Sequence, residues 1–174
     1  MPLAPMTKYS HLNLGAFSLL NVPQAYLDGT LAAGDLNCAT SPPNALLGSR
    51  SNRSIWPRFS LLPSPQNNTP EASSKAPDFQ LLSLTVKPLH STPRYVTLLA
   101  QGWTIEGGRA IDNVGFSLTW LNEGYQRPFT LDLTLWDNWR KNLSVVEMWA
   151  ESEAGEDWEF CVDDLRFVIM GEAE

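Results

Sequence analysis

Basic residues are scarce in this chain. Its 174 residues include 12 Lys and Arg against 19 Asp and Glu, a formal charge of −7 with a pI near 4.8. Such a balance argues against a protein that tracks a phosphate backbone or docks on an anionic lipid surface, so neither nucleic acid nor membrane is expected as a partner. Long apolar runs are also missing, and no window approaches the roughly 18 uninterrupted apolar residues of a membrane span. The opening MPLAPMTKYSHLNLG lacks the basic end and apolar stretch of a signal peptide. Two expectations for location follow: a cytoplasmic protein, or a secreted one whose leader has been removed.

Histidine and cysteine are rare, two of each. His11 and His90 lie far apart beside turn residues, which leaves little material for a His-based zinc site or a Ser-His-Asp triad. Both read as surface histidines. The chain has no G-x-S-x-G elbow, Walker loop, paired-glycine dinucleotide fingerprint or H-E-x-x-H. Cys38 and Cys161 fit either one disulfide in an oxidising compartment or two buried thiols. The sequons at Asn52, Asn67 and Asn142 lean toward secretion.

What remains is a chain able to build one core. Its 43 % hydrophobic content suits a single domain over residues 1–174. The first third is loop-rich, with SPPNALLGSRSNRS and LLPSPQNNTPEASSKAPD concentrating Pro, Ser and Asn. Residues 62–78 are expected to form a long exposed loop, and NVPQAYLDGTLAAG a short helix. From Phe79 onward the pattern turns to short β-rich runs at roughly ten-residue spacing, the signature of an all-β antiparallel sandwich or barrel. The runs are FQLLSLTVK, YVTLLAQGW, VGFSLTW, FTLDLTLW, LSVVEMW and WEFCVDDLRFVIM, with turns at EGG (106–108), NEG (122–124) and EAGED (153–157). FTLDLTLW alternates most cleanly, placing Phe129, Leu131, Leu133 and Leu135 on one face and Thr130, Asp132, Thr134 and Trp136 on the other.

Seven tryptophans are the informative surplus: Trp56, Trp103, Trp120, Trp136, Trp139, Trp149 and Trp158. Most sit at strand ends, where a ring either flanks a pocket mouth or plugs the sandwich. Strand parity collects Tyr95, Gln101, Trp103, Asp132, Trp136, Glu147 and Trp149 on a polar face. That mixture of flat rings, amides and carboxylates suits a ligand with apolar faces and hydroxyl edges, a sugar or a polyoxygenated natural product. In LWDNWRKN, Trp136 and Trp139 bracket Asp137 and Asn138, a loop able to stack on a ligand or simply a turn capped by its own side chains.

In FCVDDLRF the parity slips. Phe160 and Val162 share one face, whereas Leu165, Phe167 and Ile169 belong to the other register. A bulge at Asp163 and Asp164 reconciles the two, and leaves a carboxylate to accept backbone N–H groups or to ligate a hard cation such as a structural calcium. No other cofactor is expected.

The order of YLDG, PNALLGSR, FQLLSLTVKPL, YVTLLAQGW, EGG, FTLDLTLWDNWRKNLSVVEMW and the closing FCVDDLRF resembles the galactose-binding-like jelly rolls, β-sandwiches shared by many carbohydrate-binding modules. The resemblance spans most of the chain from Tyr26 to Met170. It implies a galactose-binding-like sandwich with a ligand site on one sheet or in the loops at one end, often with a structural calcium, and it transfers no catalytic residue. The sequence therefore supports a ligand-binding protein that holds a glycan or small molecule through Tyr95, Gln101, Trp103, Asp132, Trp136, Trp139 and Trp149. The alternative is a cofactor-independent cyclase or isomerase of natural-product biosynthesis. There an aromatic pocket would preorganise the substrate, and Asp132, Glu147, Tyr95 or Arg127 would polarise a carbonyl.

Overall fold

Alternation of apolar and polar residues builds the longest strands. In β6 (Tyr95–Glu106) Val96, Leu98 and Ala100 are buried, whereas Thr97, Leu99, Gln101 and Trp103 are half-buried on the opposite face. β9 (Val145–Ser152) repeats the pattern, with Val146, Met148 and Ala150 inward. A computed structural model of the protein describes residues 12–50, 55–61, 78–90, 93–121 and 127–170. Of the expected exposed loop at 62–78, residues 62–77 lie outside the described residues, as do the turn at 122–124, His11, Asn52 and Asn67, whereas Asp78 is buried at the start of a strand.

Two five-stranded antiparallel sheets face each other. The front sheet runs β1-β4-β9-β6-β7 and the back sheet β2-β3-β10-β5-β8. The remaining strands are β1 (Leu12–Gly15), β2 (Phe17–Asn21), β3 (Asn44–Gly48), β4 (Arg58–Leu61), β5 (Asp78–Pro88), β7 (Arg109–Leu121), β8 (Phe129–Asp132) and β10 (Phe160–Met170). Between the sheets Phe17 meets Phe59 at 6.4 Å and Phe160 edge-on at 6.3 Å, among buried leucines from both sides. Each fully buried ring of this kind contributes about 1.5–3 kcal/mol. Gly48 lies under the Phe160 ring, whose Cζ would stand 2.3 Å from any Cβ placed there. The ring therefore requires glycine on β3.

A second, smaller core lies on the outside of the back sheet. Helix α1 (Val22–Leu27), capped by the Asn21 side chain on the Gln24 N–H, and the 3-10 helix Ala33–Cys38 lay Val22, Ala25 and Cys38 against Ala45, Leu47 and Cys161. A disulfide joins Cys38 to Cys161. Lys87, the cross-strand partner of Cys161, is fully buried and donates from Nζ to Asp35 at 2.8 Å, to Asn37 at 2.9 Å and to the Gly34 carbonyl. The covering segment is thus held by a covalent bond and by a buried ion pair.

The structure corrects three expectations. The loop-rich first third contains four short strands, β1 to β4, each of four or five residues. FTLDLTLW is a strand only to Asp132, whose carboxylate caps the Thr134 N–H and starts a 3-10 turn, Leu133–Leu135. Leu135 is consequently exposed while Leu131 and Leu133 are buried, and Phe129, at the start of the strand, is exposed as well. The two sheets also divide the single polar face drawn from parity, as described below. Other expectations hold: the short helix forms, Gly107 and Gly108 take positive φ in the β6–β7 hairpin, and the register of β10 shifts between Asp163 and Arg166. No helix among the described residues is long and apolar enough to cross a membrane.

Candidate ligand-binding face

Pairing in the front sheet sets the outer-face side chains in rows across the strands. Gln101 on β6 stands directly opposite Glu147 on β9, which stands opposite Arg58 on β4; on its other side Gln101 faces Gly115 of β7. The next row carries Trp103 between Val145 and Asn113, and the row on the far side carries Trp149 opposite Leu99. Trp103 and Trp149 therefore flank the Gln101–Glu147 pair, about 14 Å apart along the strands. Gly115 leaves the row beside Gln101 without a side chain. The face is thus a shallow trough with an amide and a carboxylate along its middle and an indole on each side.

One end of the trough is more enclosed. Trp56 stacks on Trp149 with centroids 4.4 Å apart and 16° between the planes, and the Arg50 guanidinium lies 5.6 Å from the Trp56 ring centroid. Arg50, Ile55, Trp56, Arg58 and Glu147 line an open groove of about 240 Å³. The stem of Arg58 crosses Gly15 of β1, where a Cβ would meet its Cγ at 3.1 Å, and its Nη1 lies 3.7 Å from Glu147. Arg50, Trp56 and Arg58 escaped assignment to the site because they flank or begin a strand in a segment dominated by loop-forming residues. The signal present was the alternation in RFSL.

The other predicted site residues go elsewhere. Tyr95 shares the outer face of β6 but pairs with Leu121 six positions from Gln101, about 20 Å along the strand. Asp132 belongs to the back sheet. Trp136 packs edge-on against Phe116 at 5.7 Å, on the inner side of the front sheet, and Trp139 is fully buried 5.2 Å from the same ring. Its Nε1 is buried without a hydrogen-bond partner. Arg127 is exposed ahead of β8. Tyr95, Asp132, Glu147 and Arg127 therefore do not meet at one point.

At the β10 bulge Asp164 has φ of +48°. Asp163 accepts from the Ser41 N–H and the Thr40 hydroxyl, both at 2.9 Å; Asp164 accepts from the Thr40 hydroxyl at 2.6 Å and the Ser41 hydroxyl at 3.1 Å. The pair ties the strand to the segment before β3. Among the described residues no third Asp, Glu, His or Cys joins them in a metal-binding group. Beside the bulge Leu19, Leu46, Val162 and Leu165 line a cleft of about 370 Å³. The His90 ring donates from Nε2 to the Glu159 carboxylate at 2.9 Å, and this hydrogen bond is the main cause of a pKa raised above 6.5. At Asn142, the third sequon, the side chain is exposed but Ser144 is buried and donates to Asp78.

Searches by family model and against curated proteins returned no match. Among solved structures the chain is similar to a DUF4465 family protein from Bacteroides caccae ATCC 43185, at 13 % identity and a TM-score of 0.55, over 88 % of this chain and 73 % of that one. It is similar also to a DUF4465 family protein from Bacteroides ovatus ATCC 8483, at 11 % identity and a TM-score of 0.52, over 88 % and 71 %. The likeness is one of fold: a two-sheet antiparallel β-sandwich.

Proposed function

We propose that the protein binds a carbohydrate-type ligand on the outer face of the front sheet. The observation that carries this reading is the placement of Gln101 opposite Glu147 with Trp103 and Trp149 on either side. An indole offers an apolar plane to a sugar ring, while the amide and carboxylate between them supply donor and acceptor for its hydroxyls. The galactose-binding-like resemblance of the sequence supports the same reading. The sandwich supplies a rigid base, since β6 is hydrogen-bonded on both sides, by β7 and β9.

Tryptophan fluorescence and calorimetry against a panel of soluble oligosaccharides test the proposal. The expected result is saturable binding by at least one glycan, weakened about tenfold or more by Trp103→Ala or Gln101→Ala and unchanged by the distant Tyr95→Phe. A panel that leaves fluorescence and heat unchanged overturns it.

A further inference from the structure

We infer that the ligand is an acidic sugar, whose carboxylate is held at the groove end of the trough by Arg50 and Arg58; this inference rests on the carbohydrate reading above. The row Gln101–Glu147 continues through Arg58 to Gly15, and the groove beside Arg58 is lined by two guanidiniums and a single carboxylate. Among the lining residues of the groove, positive charge thus outnumbers negative, in a chain whose net charge is −7.

Asp157 and Glu151 lie beside the groove and not among its lining residues. Asp157 accepts from the Ser49 hydroxyl and the Arg50 backbone N–H, each at 3.0 Å, and Glu151 accepts from the Trp149 indole at 3.1 Å. Glu147 engages Arg58 only at 3.7 Å and through one nitrogen, which leaves donors of that five-donor guanidinium for a ligand in the groove. The Arg50 guanidinium carbon lies 5.6 Å from the Trp56 ring centroid, a cation–π contact beside the groove. Two forks flanking one opening match the planar, two-oxygen geometry of a carboxylate. The stacked Trp56 and Trp149 rings border the same opening, so a sugar ring carrying that carboxylate would lie in the trough beside them.

The experiment compares three probes by calorimetry: trigalacturonate, its methyl ester, and a neutral oligosaccharide of equal length. A sulfated oligosaccharide forms a fourth arm. Expected is trigalacturonate binding at least about tenfold tighter than the ester, weakening as NaCl is raised. Arg50→Met and Arg58→Met, each checked for a cooperative melt, should bring its affinity down to that of the ester and remove most of its dependence on NaCl. Equal affinity for acid, ester and neutral sugar overturns the acidic-sugar inference and leaves the carbohydrate reading standing. Tighter binding of the sulfated probe than of trigalacturonate overturns the carboxylate assignment. Absence of binding in all four arms overturns the acidic-sugar inference alone if another glycan of the panel binds, and both readings if none does.

Discussion

The Trp56 ring lies flat on the Trp149 ring, joining the segment ahead of β4 to the outer face of β9. Offset aromatic pairs add about 0.5–1.5 kcal/mol beyond their buried area. A stability cycle with Trp56→Ala, Trp149→Ala and the double variant should return a coupling of that size by urea denaturation. A coupling near zero would mean that the rings do not pack together in solution.

Trp139 and Trp103 should respond unequally to truncation. Trp139 is fully buried between the sheets, so Trp139→Ala should cost about 3–5 kcal/mol. Trp103 is half-buried on the outer face, and Trp103→Ala should cost about 1 kcal/mol. Chemical denaturation midpoints decide the matter, and equal losses would contradict the division of the tryptophans between core and surface.

Lys87 and Asp35 form a pair whose side chains are 0 % and 8 % exposed. Lys87→Met strands a buried carboxylate, with an expected loss of about 3–5 kcal/mol. Adding Asp35→Leu should restore most of it, because a hydrophobic pair of similar volume needs no compensating charge. A double variant as unstable as the single one would assign the loss to the contacts with Gly34 and Asn37 instead.

His90 links stability to pH. Its hydrogen bond to Glu159 raises its pKa above 6.5, aided by the charges of Glu159 and Asp35 and opposed by partial burial. Folding thus favours the protonated ring. Its contribution is complete below the unfolded-state value near 6.5 and disappears as pH rises through the higher folded-state value. The melting temperature of wild type should exceed that of Glu159→Gln most clearly at about pH 5–6, and the gap should close toward about pH 9. A gap independent of pH would remove the imidazolium from the account.

The disulfide joins residues 123 positions apart, so it restricts the unfolded chain over most of its length. Reduction, or the double substitution of Cys38 and Cys161 by Ala, should lower stability by about 2–5 kcal/mol. Melting with and without reductant measures this, and reductant should leave the double variant unaffected.

Much of the strand layout is local and was legible. In β6, β7 and β9 period-2 alternation marks which residues face the core, and its break in β10 exposes the Asp163–Asp164 bulge, because one inserted residue reverses every later side chain; β5 slips opposite the same bulge, with Phe79 and Leu81 and then Leu84 and Val86 in the core. The strands β1 to β4 were not legible, since four- or five-residue segments amid Pro, Ser and Asn are held mainly by distant partners: β4 by β9, β3 by β10. Nor does alternation show where a ladder stops. β8 ends at Asp132 because its pairing with β5 ends at Ser83 and the Asp132 side chain then turns the backbone.

The sequence by itself determined the class, a two-sided β protein rich in tryptophan, and the shared face of Tyr95, Gln101 and Trp103, because side-chain direction within one strand depends only on parity. Only the tertiary structure decided which strands lie side by side. That choice put Glu147 and Trp149 beside Gln101, brought Arg50, Trp56 and Arg58 to the end of their row, and sent Asp132 to the other sheet and Trp136 and Trp139 inward. The physical reason is that strand pairing is a nonlocal contest for buried area and backbone hydrogen bonds, settled by the whole chain at once.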